Sequence, residues 1–186
     1  MSGQLAARLS ALALVGVVLQ VAALSQIRVF GVPADIAPLL VAAVGLLLGS
    51  IAGATFGFVV GLLVDITLLQ TLGVSSLLLV SIGYGAGRLR ELRDPAHGLV
   101  PMAVGAAAAA AFTFGFAVLQ FLLGVDVPMS ILLLRDMLLA VVLGALLALP
   151  VHAVARRALS PFVPDDPRRH RRRAYTTGGL SPLGRA

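Results

Sequence analysis

The run IAPLLVAAVGLLLGSIAGATFGFVVGLLVD, residues 36–65, decides the architecture. No charged side chain occurs before Asp65, and the apolar character continues to Leu69. As one helix, this stretch of about 34 residues would be near 50 Å long at ~1.5 Å per residue, whereas the hydrocarbon layer of a bilayer is about 30 Å thick. It must therefore fold back on itself. The reversal is placed near Gly49 to Gly53, giving one span from Ile36 to Leu48 and the next from Ala54 to Leu69. The same run carries Gly45, Gly49, Gly53, Gly57 and Gly61 at a constant spacing of four, extended by Asp65. On a helix that spacing makes one smooth, slowly drifting stripe. Lipid tails solvate apolar helices well, so membrane helices associate through close backbone approach and polar contacts, which glycine permits. The stripe predicts either tight packing within the bundle or reception of a partner's helix.

Composition agrees with a bilayer as the solvent. The 186 residues are 59% hydrophobic and 12% charged, with a mean hydropathy of +1.03, whereas a soluble domain is about half apolar and a quarter charged. Working outward from the central run, a first span is expected from Leu9 to Ile27, with Gln20 hydrogen-bonding to a neighbouring helix, and a turn at Phe30 to Pro33. The apolar stretch after Arg8 has the length of a full span and no small-residue cleavage site before Arg28, so it is read as a helix rather than a secretory leader. A fourth span runs from Leu72 to Gly87 and ends in the charged loop Arg88 to Asp94. A fifth runs from Leu99 to Leu123, with Pro101 in its first turn. A sixth runs from Ile131 to Ala155, with Pro150 bending its last turns. The expected organisation is an all-α membrane bundle of about six helices over residues 1–155, followed by a disordered basic tail over 156–186.

The net charge of +6 comes from 14 arginines and no lysine. Arginine-rich flanks stay cytoplasmic during insertion. With the N-terminus inside, Arg8, the Arg88 to Arg93 loop and the tail place 12 of the 14 arginines in the cytoplasm, leaving Arg28 and Arg135 outside. The expectation is a multi-pass protein of the cell membrane with both ends cytoplasmic. The polybasic segment Arg168, Arg169, Arg171, Arg172, Arg173 then faces anionic lipid headgroups. No aromatic platform accompanies it, which argues against nucleic acid as a partner.

Asp65 needs a reason to exist, because a carboxylate within a membrane helix costs roughly 3 kcal/mol or more unless paired or hydrated. Arg28, Asp35, Asp126, Arg135 and Asp136 fall at the same outer level, so an ion pair from Asp65 to Arg135 or Arg28 is expected; the rival role is substrate or proton binding. Nothing else suggests catalysis. The chain has no cysteine, no phosphate-binding glycine loop, no His-Glu-x-x-His helix and no Gly-x-Ser-x-Gly elbow. Ser75, Ser76 and Ser81 have no histidine at mid-membrane depth to activate them. His152 is read as interfacial and His97 as a loop residue, and no histidine pair has metal-ligand spacing. No enzyme activity, metal or cofactor is expected.

The segment Gly57-Phe58-Val59-Val60-Gly61-Leu62-Leu63-Val64-Asp65, then Leu72-Gly73-Val74-Ser75-Ser76-Leu77, then Gly83-Tyr84-Gly85-Ala86-Gly87-Arg88-Leu89-Arg90 resembles the family of rod shape-determining proteins MreD. That family carries a Gly-Leu-Leu-x-Asp motif, a Leu-Gly turn and a Gly-Tyr-x-x-Gly-Arg helix end in this order. The resemblance covers about residues 5 to 155. It implies a non-catalytic subunit of the cell-elongation machinery that binds the membrane protein MreC and, through it, peptidoglycan synthases and MreB filaments. It also implies a fold similar to the substrate-binding subunits of energy-coupling-factor vitamin transporters, and a role as such a subunit is the alternative. The absence of Trp, the two Tyr and the short outer loops supply little for a vitamin pocket. Gly57, Gly61 and Asp65 are the expected sensitive helix face, and Gly83, Tyr84 and Gly87 a second.

Overall fold

A computed structural model of the chain describes residues 3–20, 22, 28–29, 32–33, 35–69, 71–92, 99–124 and 131–162. Within them lie six helices: α1 (Gly3–Leu19), α2 (Ala37–Leu48), α3 (Ser50–Thr67), α4 (Val74–Leu92), α5 (Leu99–Leu122) and α6 (Ile131–Leu159). Two antiparallel two-residue strands, β1 (Arg28–Val29) and β2 (Val32–Pro33), pair between α1 and α2, so that Val32 and Pro33 of the expected turn form a strand. His97, Asp94, Asp126, the polybasic segment and the side chains of Arg28 and Asp136 lie outside what is described.

The reversal between α2 and α3 is tighter than the sequence suggested. One residue makes it: Gly49, with φ +101°, a backbone conformation that side chains with a Cβ rarely adopt. Helix α3 therefore begins at Ser50 rather than Ala54. After this turn Gly53 lies against Gly45, where an added Cβ would come within 2.7 Å of the Gly45 Cα. The glycine stripe is consequently split over two helices, with Gly45 on α2 and Gly53, Gly57, Gly61 and Asp65 on α3.

Helix α2 is the centre of the molecule. All residues from Ala37 to Leu47 are buried, and α3, α4, α5 and α6 all pack on it. A helix apolar on every side is stable only when surrounded. At ~1.5 Å per residue its 12 residues extend about 18 Å, well short of a bilayer's hydrocarbon thickness. Among the described residues, Ser50–Thr67, Val100–Leu122 and Leu138–Leu159 are long and apolar enough to cross a membrane, and Gly3–Leu19 and Ala37–Leu48 are shorter apolar helices.

Three other boundaries differ from expectation. Helix α1 begins at Gly3 rather than Leu9, so Arg8 sits on the helix. There it donates from Nη1 to the carbonyl of Ala158 at 3.0 Å, with its guanidinium 5.5 Å from the centre of the Phe162 ring. Helix α4 continues past Gly87 to Leu92 and absorbs part of the expected charged loop. Arg88 and Glu91, one turn apart, pair at 3.2 Å and support the extension. Helix α6 runs through Arg156 and Arg157 to Leu159 because Ala155 and Leu159, spaced by four, both face the core with no exposed surface. The starts of α1 and the end of α6 thus meet at one end of the bundle.

Candidate functional site

The α3–α4 pair is the most extensive helix contact in the molecule, and its geometry follows from the glycines. A Cβ at Gly57 would press into the carbonyl of Leu79, and one at Gly61 into the backbone of Ser76. The reciprocal face behaves alike: a Cβ at Gly83 would press into the carbonyl of Gly53, and one at Gly87 into the backbone of Ser50. The two glycine faces proposed from sequence therefore meet each other, helix backbone against helix backbone. Tyr84 does not share that face. It is 47% exposed, since adjacent helical residues point about 100° apart, and the Arg88 guanidinium lies 5.8 Å from its ring centre.

Asp65 terminates the stripe and is fully buried. Its carboxylate accepts from the backbone N–H of Gly73 at 2.7 Å and of Ser75 at 3.3 Å. These groups belong to the first turn of α4, where helical N–H donors have no partner within the helix. The carboxylate therefore acts as a cap delivered from the preceding helix, and its negative charge faces the positive end of the α4 dipole. Backbone donors that water cannot reach are costly to leave unpaired, and the Asp65 carboxylate satisfies two of them. Arg135 is exposed on α6.

Two more helices are capped in the same non-local way. Gln20, just past α1, accepts at Oε1 from the N–H groups of Ile36 at 2.8 Å and Ala37 at 3.0 Å, and its Nε2 donates to Asp35 at 2.8 Å. It thus closes the start of α2, as its polar character within an apolar span indicated. At the opposite end Glu91 of α4 accepts from the Ser50 hydroxyl at 2.6 Å and the Ser50 N–H at 3.2 Å, capping α3. The Ser50 hydroxyl, the Ser50 N–H and Arg88 together hold the Glu91 carboxyl below its usual range.

Sequence reasoning missed Glu91 and Ser50. The available signal was a serine directly after the Gly49 reversal, the residue type that starts helices, but its partner lay in a stretch read as loop. Ser75 Oγ and His152 Nδ1 are buried with no hydrogen-bond partner among the described residues. No group of three or more His, Cys, Asp or Glu side chains suited to a metal occurs among the described residues.

The sequence matches the family model described as rod shape-determining protein MreD over residues 5–158. No curated protein and no solved structure matches it. The match spans the helical bundle from α1 nearly to the end of α6 and includes both glycine faces and all three capping side chains. This chain, whose six described helices include three apolar enough to cross a membrane, belongs to the MreD family of rod shape-determining proteins.

Proposed function

We propose that this chain is a non-catalytic scaffold of the cell-elongation machinery, binding an MreC-like membrane protein and, through it, peptidoglycan synthases and MreB. The observation that carries the reading is the employment of Asp65. The carboxylate that a transporter or enzyme would use for a substrate or proton instead holds two N–H groups of α4. Gln20 and Glu91 are likewise engaged in holding helices together. What remains for function is surface, and much of that surface is apolar, including Ile51, Phe58, Leu77 and Leu146.

In the same proposal all six helices cross the cell membrane and both ends are cytoplasmic. Arginine placement supports this orientation, as does the meeting of Arg8 with Ala158 at one end of the bundle. The basic tail lies against membrane lipids on that side. A further contact of Asp65 with Arg135 or Arg28 belongs to the proposal as well. Charge-swapped double mutants should then recover what each single mutant loses, and independent additive defects remove the ion pair.

Affinity capture of the full chain in mild detergent tests the main reading. Co-purification of an MreC-like protein is the expected result. Recovery of two ATPase subunits with a coupling membrane protein would instead establish the transporter alternative.

A further inference from the structure

Between α1 and α6, floored by Ile36 and Leu40, runs an open groove of about 630 Å³. Its walls are apolar, with Leu12, Val15 and Leu19 on one side and Leu147, Val151 and Val154 on the other. Arg8 and Arg157 stand together at the end where α1 begins and α6 finishes. No carboxylate lines it among the described residues. From Arg8 to Leu19 along α1, and from Arg157 to Leu147 along α6, the groove is about 15–17 Å long at ~1.5 Å per residue. That is about half the ~30 Å hydrocarbon thickness, the depth of one leaflet.

An apolar trough one leaflet deep with two guanidiniums at its mouth has the charge and shape of one ligand chemistry, a phosphate head carrying an acyl chain. We propose that the groove holds an anionic phospholipid of the leaflet on the arginine side, with its phosphate between Arg8 and Arg157 and one acyl chain along α1 and α6. The site rests on the membrane-embedded reading above but not on the identity of any protein partner. Arg8 is already positioned for it. Its bond to Ala158 and its place over Phe162 fix the side chain at the mouth, and a guanidinium has five N–H donors, so one bond to a carbonyl leaves others for phosphate. Basic recesses between membrane helices on the cytoplasmic side are suited to anionic headgroups for the same reason. Gly16 packs toward Leu40 on the floor of the trough, where an added Cβ would lie 2.5 Å from its Cδ2.

Native mass spectrometry of the full chain released from nanodiscs tests the proposal. The discs contain phosphatidylcholine mixed with phosphatidylglycerol. The wild type should keep one phosphatidylglycerol through delipidation. Arg8→Ala with Arg157→Ala should reduce that retention roughly tenfold or more, while Arg8→Lys with Arg157→Lys keeps most of it. Val154→Trp, which fills the trough without touching charge, should also displace the lipid. Thermal unfolding of each variant identifies any that fails to fold, and the lysine and tryptophan variants then carry the test. Equal retention of phosphatidylcholine and phosphatidylglycerol by the wild type would overturn the proposal, because ordinary annular lipid does not select charge. A photocrosslinker at Val15 that captured a polypeptide in cell membranes, and no lipid, would overturn it equally.

Discussion

The α3–α4 pair and the α1–α6 pair are built from similar apolar residues yet pack oppositely. In the first, Gly57 and Gly61 meet Leu79 and Ser76 backbone to backbone, and Val60 is 1% exposed. In the second the helices stand apart over a groove, and Val15 and Val154 are 59% and 60% exposed. Hydrophobicity cannot be the cause of the difference, since lipid solvates leucine and valine as well as a neighbouring helix does. The distinction lies in which pair can bring backbones together and satisfy polar groups across the interface. Helices α3 and α4 exchange two caps, Asp65 onto α4 and Glu91 onto α3. Between helices α1 and α6, among the described residues, the bond runs from Arg8 to Ala158 and caps neither helix start. The tight pair packs together against the central helix α2, and the loose pair leaves room for something else.

The largest effect should come from placing bulk in the tight pair. Gly61→Leu drives a side chain into the Ser76 backbone, which cannot move aside as a rotamer can, and a loss of about 4 kcal/mol or more is expected. Gly85, on the same helix α4 but with nothing within 4 Å of an added Cβ, should accept leucine within about 1 kcal/mol. Size-exclusion profiles and thermal unfolding in detergent measure both. Equal behaviour of the two variants would mean that close approach is not what separates the regions.

Removing the α4 cap comes next. Asp65→Ala leaves the N–H groups of Gly73 and Ser75 without their acceptor, at a cost of about 2 kcal/mol, while Asp65→Asn retains an acceptor and should lose less. Amide exchange at Gly73 and Ser75 should quicken in the alanine variant before the rest of α4 responds. Unchanged exchange there would dismiss the capping role.

Much of this centre was legible in the sequence, for particular reasons. A charge-free run too long for one span forces a reversal, and only glycine offers the positive φ that Gly49 uses. Fourfold glycine spacing announces close approach whatever the partner. The destination of Asp65 was not legible, because its ligands are backbone N–H groups, which every residue carries and no motif marks. The grouping of Gly83, Tyr84 and Gly87 failed for a related reason: proximity in sequence was taken as a shared face. Glu91 was hidden because a run of charges resembles a loop until its helix is seen to be tied to Ser50. The groove left no trace in the sequence, being a gap between helices far apart in the chain.

The caps at the two ends should also respond oppositely to pH. Burial raises the carboxyl of Asp35, ahead of α2, from 3.8 to about 6, and the hydrogen bond from Gln20 opposes this. Between about pH 4 and 6 the folded state therefore keeps a proton that the unfolded chain has released. Stability should fall as pH rises through that window and level off above it, by on the order of 2–3 kcal/mol. Glu91 has the reverse sign. Its lowered carboxyl contributes stability present above its ordinary value of 4.5 and lost as pH falls through the folded value beneath it. Thermal scans across pH 5 to 7, above the Glu91 window, should show the falling Asp35 slope in the wild type and lose it in Asp35→Asn. A slope that survived this substitution would assign the proton elsewhere.

The smallest effect on stability is expected at Tyr84, one residue from Gly83. Leu77, Ser81, Tyr84 and Arg88 form the exposed stripe of α4 opposite its glycine face. Tyr84 is half exposed and its ring lies beside the Arg88 guanidinium of its own helix, so Tyr84→Ala should change unfolding by less than about 1 kcal/mol. Gly83→Leu, which forces bulk onto the Gly53 carbonyl, should prevent folding altogether. The pair of variants separates two roles that most substitutions would confuse. Loss of an MreC-like partner in Gly83→Leu reports only a collapsed bundle. Loss in Tyr84→Ala, with unfolding unchanged, can come only from contact at the outer surface of α4, because the tyrosine has no part in holding α3 and α4 together.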